Sequence, residues 1–236
     1  MGKVYFDDYL IRDFTLAEIK MLRRKQRHGN RNQFLNNEFQ IYTVEEAIES
    51  LILLNSQFPR NDLDFPVGLY IEPKEYTLYK IFYGVDMLDM LHESLAKYDL
   101  ETIEKCTNKV PIIIQSFEID ALWKYATLSD LPLVYLLAGD GNRRYDFEYI
   151  SKHAHGVGPN LKVITSYLDE EYNKDTPSDF VLEAHSHDLG VHPYEIRDDF
   201  LGYEDNIMEE HKLFVTKGVD GLFTEFPHTT FAAFTY

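Results

Sequence analysis

The sequence predicts a parallel α/β fold in a single domain spanning residues 1–236. Stretches with helical spacing alternate with short apolar runs from one end to the other, the pattern that builds strand–helix–strand units. The apolar runs are rich in Ile, Leu and Val with little polar alternation, as strands covered on both faces are. No linker or low-complexity tract separates them. With 44% hydrophobic and 27% charged residues, the chain has the composition to build a sizeable core, which argues against wholesale disorder.

The elements follow in order. Thr15-Leu-Ala-Glu18 and Thr43-Val-Glu-Glu46 each set a hydroxyl three residues before a carboxylate, the capping box that starts a helix. The second runs into Val44, Ala47, Ile48, Leu51 and Leu54, which share one helix face. Between the two, Arg23-Arg24-Lys25-Gln26-Arg27 is expected to be helical. The polar, proline-bearing stretch 58–64 then gives way to a strand at Val67-Gly-Leu-Tyr-Ile71, ending in Glu72. Val110-Pro-Ile-Ile-Ile-Gln115 is the next strand, followed by a helix over 119–127. Leu131–Ala138 is a third strand, closed by the loop Gly139-Asp-Gly-Asn142. A shorter candidate lies at Ala154–Val157. A helix over 180–185 precedes the strand Leu189-Gly-Val-His-Pro193, and Val219–Thr224 is the sixth and last candidate. Polar residues stand at the carboxyl ends of these strands: Glu72, Gln115-Ser116, His192 and Thr224. Active-site groups of barrels and of open α/β sheets both come from that rim.

Charge and cysteine content narrow the function classes. The chain carries 40 Asp+Glu against 23 Lys+Arg, a formal net charge of −17, which repels nucleic acid and anionic lipid. Cys106 stands alone, so no internal disulfide forms and multi-cysteine metal sites are excluded. No apolar run approaches ~18 residues, so no membrane span is expected. Residues 1–8 show no apolar core of a signal peptide, and the compartment is left open.

Four segments, in this order and spacing, resemble the glycerophosphodiester phosphodiesterase family. They are Asp13-Phe-Thr-Leu-Ala-Glu-Ile-Lys with Gln40-Ile-Tyr-Thr-Val-Glu-Glu-Ala; Leu69-Tyr-Ile-Glu72-Pro-Lys74; Ile112-Ile-Ile-Gln115-Ser116-Phe117; and a tail. The tail comprises Gly156-Val-Gly-Pro159, Ala184-His, Val191-His-Pro-Tyr194 with Arg197, and Gly218-Val-Asp-Gly-Leu-Phe-Thr-Glu-Phe-Pro227. The resemblance implies a (β/α)8 barrel of the TIM type. With six strand candidates where a closed barrel needs eight, the expectation here is an incomplete barrel, about six of eight strands with the first two missing. It also implies metal-dependent hydrolysis of glycerophosphodiesters to sn-glycerol 3-phosphate and an alcohol, with Ca²⁺ or Mg²⁺ held by three carboxylates and two histidines as acid and base. The family's His-Arg-Gly, Glu-x-Asp and His-Asp motifs, which carry both histidines and two of the ligands, have no counterpart in this chain. The expectation is therefore a fragment whose catalytic histidines lie upstream, so no catalytic residue is assigned. The alternative is a non-catalytic truncated relative acting as a binding or partner protein. A barrel opened by two strands exposes edges, which predicts an oligomer or a covering partner.

The resemblance assigns Glu72 as a metal ligand and Lys74 to a phosphate oxygen. On the residues alone, the two could equally neutralise each other across one strand face. Gln115, Tyr194 and Arg197 are assigned to substrate binding, with a backbone hydrogen bond at the rim the alternative for Gln115. Family members usually carry Thr where Glu195 stands and Asp where Glu225 stands. His192 reads as a strand-end structural residue. His185, His187 and His192 straddle a helix-to-strand turn, so a zinc site is set aside. Trp123 reads as helix–strand packing.

Overall fold

Both hydroxyl–carboxylate pairs start helices, and the reason is local. Thr15 accepts the Glu18 amide while the Glu18 carboxylate caps the Thr15 amide, opening α1 (Leu16–Met21); Thr43 and Glu46 do the same for α2 (Val44–Gln57). The computed structural model describes residues 9–58, 66–139, 141–167 and 175–235. Asp140, in the loop after the third strand, lies outside the described residues.

Strands and helices then alternate. β1 (Leu69–Ile71) is followed by α3 (Tyr76–Tyr83), α4 (Met87–Ala96) and α5 (Ile103–Cys106). β2 (Ile112–Ser116), α6 (Ile119–Ala126), β3 (Leu133–Leu137), α7 (Phe147–Ser151), β4 (Gly156–Pro159), α8 (Leu161–Ser166), α9 (Asp179–Ser186) and β5 (Gly190–Val191) come next. α10 (Ile207–Thr216) and α11 (Pro227–Thr235) end the chain. The five strands form one parallel sheet in the order β1-β2-β3-β4-β5, so spatial order equals chain order. That is the strand order of a barrel wall, and the barrel is not closed among the described residues.

β2, β3 and β4 are covered on both faces and carry the core, with Ile112, Ile114, Leu133, Leu137 and Val157 at 4% exposure or less. β1 is half-exposed along its whole length. It starts at a tight approach: Leu69 N–H donates to Pro111 O at 2.8 Å, and a Cβ on Gly68 would stand 2.3 Å from that oxygen. Only a glycine fits there. Tyr70 points across the interior to the far end of the sheet, with its OH 3.0 Å from His192 Nδ1 and its ring edge-on to Phe223 at 4.8 Å.

Three expectations are corrected. The sixth strand candidate, 219–224, is not a regular strand. It lies alongside the segment after β5, with Asp220 N–H donating to Val191 O, Phe223 N–H to Pro193 O and Ile196 N–H to Phe223 O. The ladder is broken because the Asp220 carboxylate takes the Val191 N–H at 2.7 Å and because the His192 ring lies over Gly221. The basic run 23–27 is not helical either. α1 ends at Met21, and Arg24 instead pairs with Phe39 and Asn37 through backbone hydrogen bonds of 2.8 and 2.9 Å. Trp123 also departs from its packing role: it is 59% exposed and meets His153 on the surface.

Behind the rim, α10 and α11 are pinned to the loop at 197–204. Glu210, 2% exposed, accepts the amides of Gly202, Tyr203 and Glu204. His211 Nε2 lies 3.1 Å from Asp198 Oδ1, and the Thr229 hydroxyl donates to Asp198 Oδ2 at 2.6 Å.

Candidate functional site

A parallel sheet ends all its strands at one rim, and side chains just past those ends converge. Here they line a cavity of about 870 Å³ that draws on every strand. Glu72 and Lys74 follow β1, Gln115 is the penultimate residue of β2, Leu136 sits in β3, Asn160 follows β4, and Tyr194 and Arg197 follow β5. All five residues singled out by sequence, Glu72, Lys74, Gln115, Tyr194 and Arg197, therefore share one cleft.

Their contacts differ. Lys74 Nζ is 2.7 Å from Glu72 Oε1, with Glu72 largely buried and Lys74 73% exposed. Gln115 is 8% exposed, and its Oε1 has no hydrogen-bond partner. That oxygen is closed off from solvent, and turning the side chain toward a ligand donor would relieve the cost of an unmet buried acceptor. Tyr194 donates its hydroxyl to Leu137 O at 3.2 Å and sets its ring edge-on to Phe117. Burial pushes the Tyr194 phenol up to about 12, so it stays protonated.

Arg197 stands in an acidic cluster that includes Asp199, Glu195 and Glu225. It approaches Asp199 Oδ1 to 3.9 Å and Glu225 Oε1 to 4.0 Å. Arg31 joins from the distant loop 24–39. Its Nε and Nη2 hold the two oxygens of Asp199 at 2.8 and 2.9 Å, and its Nη1 holds Glu225. The Arg31 guanidinium draws the Asp199 carboxyl down to about 2. Burial and a hydrogen bond to Glu225 raise the Glu195 carboxyl above the usual carboxylate range. Glu225 is lowered instead: burial pushes it up, and the bonds to Arg31 and Glu195 outweigh that.

Arg31 and Asp199 escaped the sequence reading. They are 168 residues apart, and neither sits in a periodic or motif-bearing stretch. The local cue was a lone Arg in the polar turn Gly29-Asn-Arg-Asn32. The three histidines near the end of the chain do not converge. His185 pairs with Asp220 at 2.8 Å, His187 stacks on Phe147, and His192 meets Tyr70. Burial lowers the His192 imidazole.

The residues fit a divalent cation poorly by themselves. One carboxylate already engaged by an ammonium falls short of the six to eight oxygens of Ca²⁺ or the octahedron of Mg²⁺. Among the described residues no group of three His, Cys, Asp or Glu side chains is arranged to hold a metal. No helix among them is long and apolar enough to cross a membrane.

A cleft at the carboxyl rim of a barrel-type parallel sheet, with a carboxylate–ammonium pair and a guanidinium on its wall, suits a phosphorylated ligand. The sequence model of the glycerophosphoryl diester phosphodiesterase family matches residues 2–229, and the chain belongs to that family. It is 32% identical over 238 residues to a glycerophosphodiester phosphodiesterase of Arabidopsis thaliana, covering 91% of this chain and 61% of that protein. A glycerophosphodiester phosphodiesterase of Haemophilus influenzae is 25% identical over 261 residues, covering 94% and 69%. The chain thus spans about three fifths to two thirds of the curated relatives it matches. Two solved structures share the fold. One is a glycerophosphoryl diester phosphodiesterase from Silicibacter pomeroyi (TM-score 0.67, 18% identity, 98% of this chain and 71% of that one). The other is an Oleispira antarctica phosphodiesterase in complex with sn-glycerol-3-phosphate (TM-score 0.63, 17% identity, 97% and 74%). The family is a phosphodiesterase family and is generally divalent-cation dependent.

Proposed function

We propose that this chain forms the substrate-binding wall of a glycerophosphodiester phosphodiesterase, an enzyme that hydrolyses glycerophosphodiesters to sn-glycerol 3-phosphate and an alcohol. The observation that carries the reading is the shared cleft: Glu72, Lys74, Gln115, Tyr194 and Arg197 line one cavity in a chain of this family. Lys74 and Arg197 meet the non-bridging oxygens of the phosphodiester, Arg197 with its planar fork. Gln115, turning its amide into the cavity, hydrogen-bonds a hydroxyl of the glycerol unit, and the Tyr194 ring with Phe117 covers its carbon face. Glu72 would supply one oxygen ligand of Ca²⁺ or Mg²⁺ only if it released Lys74 and further carboxylates joined it. Those carboxylates, and the two histidines for proton transfer, come from sequence other than these 236 residues.

Two measurements test it. Calorimetric titration of the 236-residue protein with sn-glycerol 3-phosphate should show binding that weakens at least tenfold in Arg197→Ala. Release of sn-glycerol 3-phosphate from glycerophosphocholine should be absent with this chain alone and present, cation-dependent and lost on Glu72→Gln in the protein isolated from its source. Binding without turnover in the source protein would favour a non-catalytic relative. Absence of binding, or turnover by the 236 residues alone, would overturn the reading.

A further inference from the structure

We propose that Arg31 is a positioning residue for the cleft: by occupying Asp199 and Glu225, it keeps Arg197 available to an anionic ligand such as a phosphodiester. The ligand class rests on the function proposed above; the competition between the two arginines does not.

Two guanidinium groups share two carboxylates. Arg31 has the better geometry, with parallel bonds of 2.8 and 2.9 Å to both oxygens of Asp199 and a further bond to Glu225. Its side chain is 15% exposed and lies 5.0 Å above the Phe226 ring. Such a planar fork on a carboxylate is the strongest pairing an arginine makes. Arg197 faces the same acids only at 3.9 and 4.0 Å, beyond hydrogen-bonding range, with its guanidinium 5.7 Å from the Phe200 ring. It lies at the cavity wall and is a quarter exposed.

The loop that delivers Arg31 is braced on itself. Its neck is tied by Arg24 N–H to Phe39 O and Asn37 N–H to Arg24 O. Inside it, Gln26 N–H donates to Asn36 Oδ1, and the Gln33 amide donates to the carbonyls of His28 and Arg31. Beyond the Arg31 bonds, Asn30 adds a longer contact to Asp199 at 3.5 Å. The loop thus meets the rim through a charge pairing that can be removed without touching the sheet.

The charge balance sets the consequence. With Arg31 docked, its single positive charge is hydrogen-bonded to both Asp199 and Glu225, and burial with the bond to Glu225 shifts Glu195 toward its protonated form. Arg197 then keeps donors to spare on the cleft side. Without Arg31, two carboxylates stand bare within 4.0 Å of Arg197, and attraction at that range in a half-buried site pulls the guanidinium onto them. Bidentate capture of Arg197 by Asp199 or Glu225 removes it from the ligand.

The test reads Arg197 directly. Phenylglyoxal modifies free guanidinium groups, and peptide mass spectrometry resolves the rate at Arg197. That rate should fall at least fivefold in Arg31→Ala and return to within twofold of wild type in Arg31→Ala/Asp199→Asn/Glu225→Gln. Arg31→Lys, which keeps the charge but not the fork, should fall between and serves where the alanine variant folds poorly by circular dichroism. Calorimetry with sn-glycerol 3-phosphate should follow the same order: at least tenfold weaker in Arg31→Ala, recovering to within threefold in the triple variant. An unchanged Arg197 rate in folded Arg31→Ala or Arg31→Lys overturns the proposal. So does a loss of rate or affinity that the triple variant does not restore, because Arg31 would then act through the loop's structure. Rates that shift as expected in a protein that binds no sn-glycerol 3-phosphate would support the arginine competition and refute the assigned ligand.

Discussion

Removing the Glu210 carboxylate should unpin the rim loop. Glu210 is 2% exposed on α10 and accepts four hydrogen bonds from three amides: Gly202 at 2.9 and 3.1 Å, Tyr203 at 2.9 Å and Glu204 at 2.9 Å. A hydrogen bond to a charged group contributes about 1.5–3 kcal/mol, so three amides set a ceiling near 5–9 kcal/mol. Part of that returns, because the loop at 200–206 can turn amides to water and the carboxylate no longer needs desolvating. The expected loss for Glu210→Ala is about 4 kcal/mol, large for a single substitution. Glu210→Gln keeps one acceptor oxygen but presents an amide group to N–H donors, and should lose about half as much. Urea unfolding followed by circular dichroism, extrapolated linearly to water, measures both. Phe200, Gly202 and Tyr203 line the cleft, so affinity for sn-glycerol 3-phosphate should fall with stability. A loss below ~1 kcal/mol in the alanine variant would mean that water serves these amides as well as Glu210 does, and would refute the pinning argument.

Three further outcomes follow from the same geometry. Gly68→Ala puts a Cβ 2.3 Å from Pro111 O and should lower stability by about 1–3 kcal/mol in thermal unfolding, by prising β1 from β2. Lys74→Ala should change stability by less than ~0.5 kcal/mol, since Lys74 is 73% exposed and its pairing with Glu72 is largely solvated, yet weaken sn-glycerol 3-phosphate binding in calorimetry by about tenfold. Glu195→Gln should stabilise the protein at neutral pH and not at low pH. The Glu195 carboxyl is raised in the fold, so the folded state binds the extra proton, and wild-type stability falls as pH climbs from the ordinary carboxylate range through the raised value. Glutamine cannot ionise and escapes that loss; unfolding free energies of the two proteins that stay parallel across this window would contradict it.

What was legible in the sequence was local. The capping boxes at Thr15 and Thr43 were readable because both partners lie within one turn. The strands β1 to β3 were readable because apolar, branched runs between turn signals have few other uses, whereas the 154–157 candidate meets β4 (Gly156–Pro159) only at Gly156 and Val157. The segment 219–224 looked the same, but its regularity is undone by a side chain, Asp220, that takes a backbone donor from a neighbour 29 residues away. The run 23–27 has good helix formers, and tertiary pairing of Arg24 with Phe39 overrode that preference. Glu72 and Gln115 were legible at the cleft as polar strand ends, which converge by topology; Lys74, Tyr194 and Arg197 were singled out by the family resemblance. Arg31 was not legible, because its partners Asp199 and Glu225 become neighbours only once the whole sheet has wound round to bring them there.

The strand order carries a consequence for motion. Each strand is bonded only to the one before and the one after it, so a break in one ladder does not break the others. Tyr70, meeting His192 and Phe223 across the interior, and Arg31, meeting the far rim, are side-chain ties between early and late parts of the chain. Side-chain ties open at lower free energy than a shared backbone ladder, and local opening begins where protection is least. In hydrogen exchange, the amides of half-exposed β1 should therefore exchange in a faster group of their own. Those of β2 to β4, covered on both faces, should exchange last, which gives the cleft one yielding wall and one slow one.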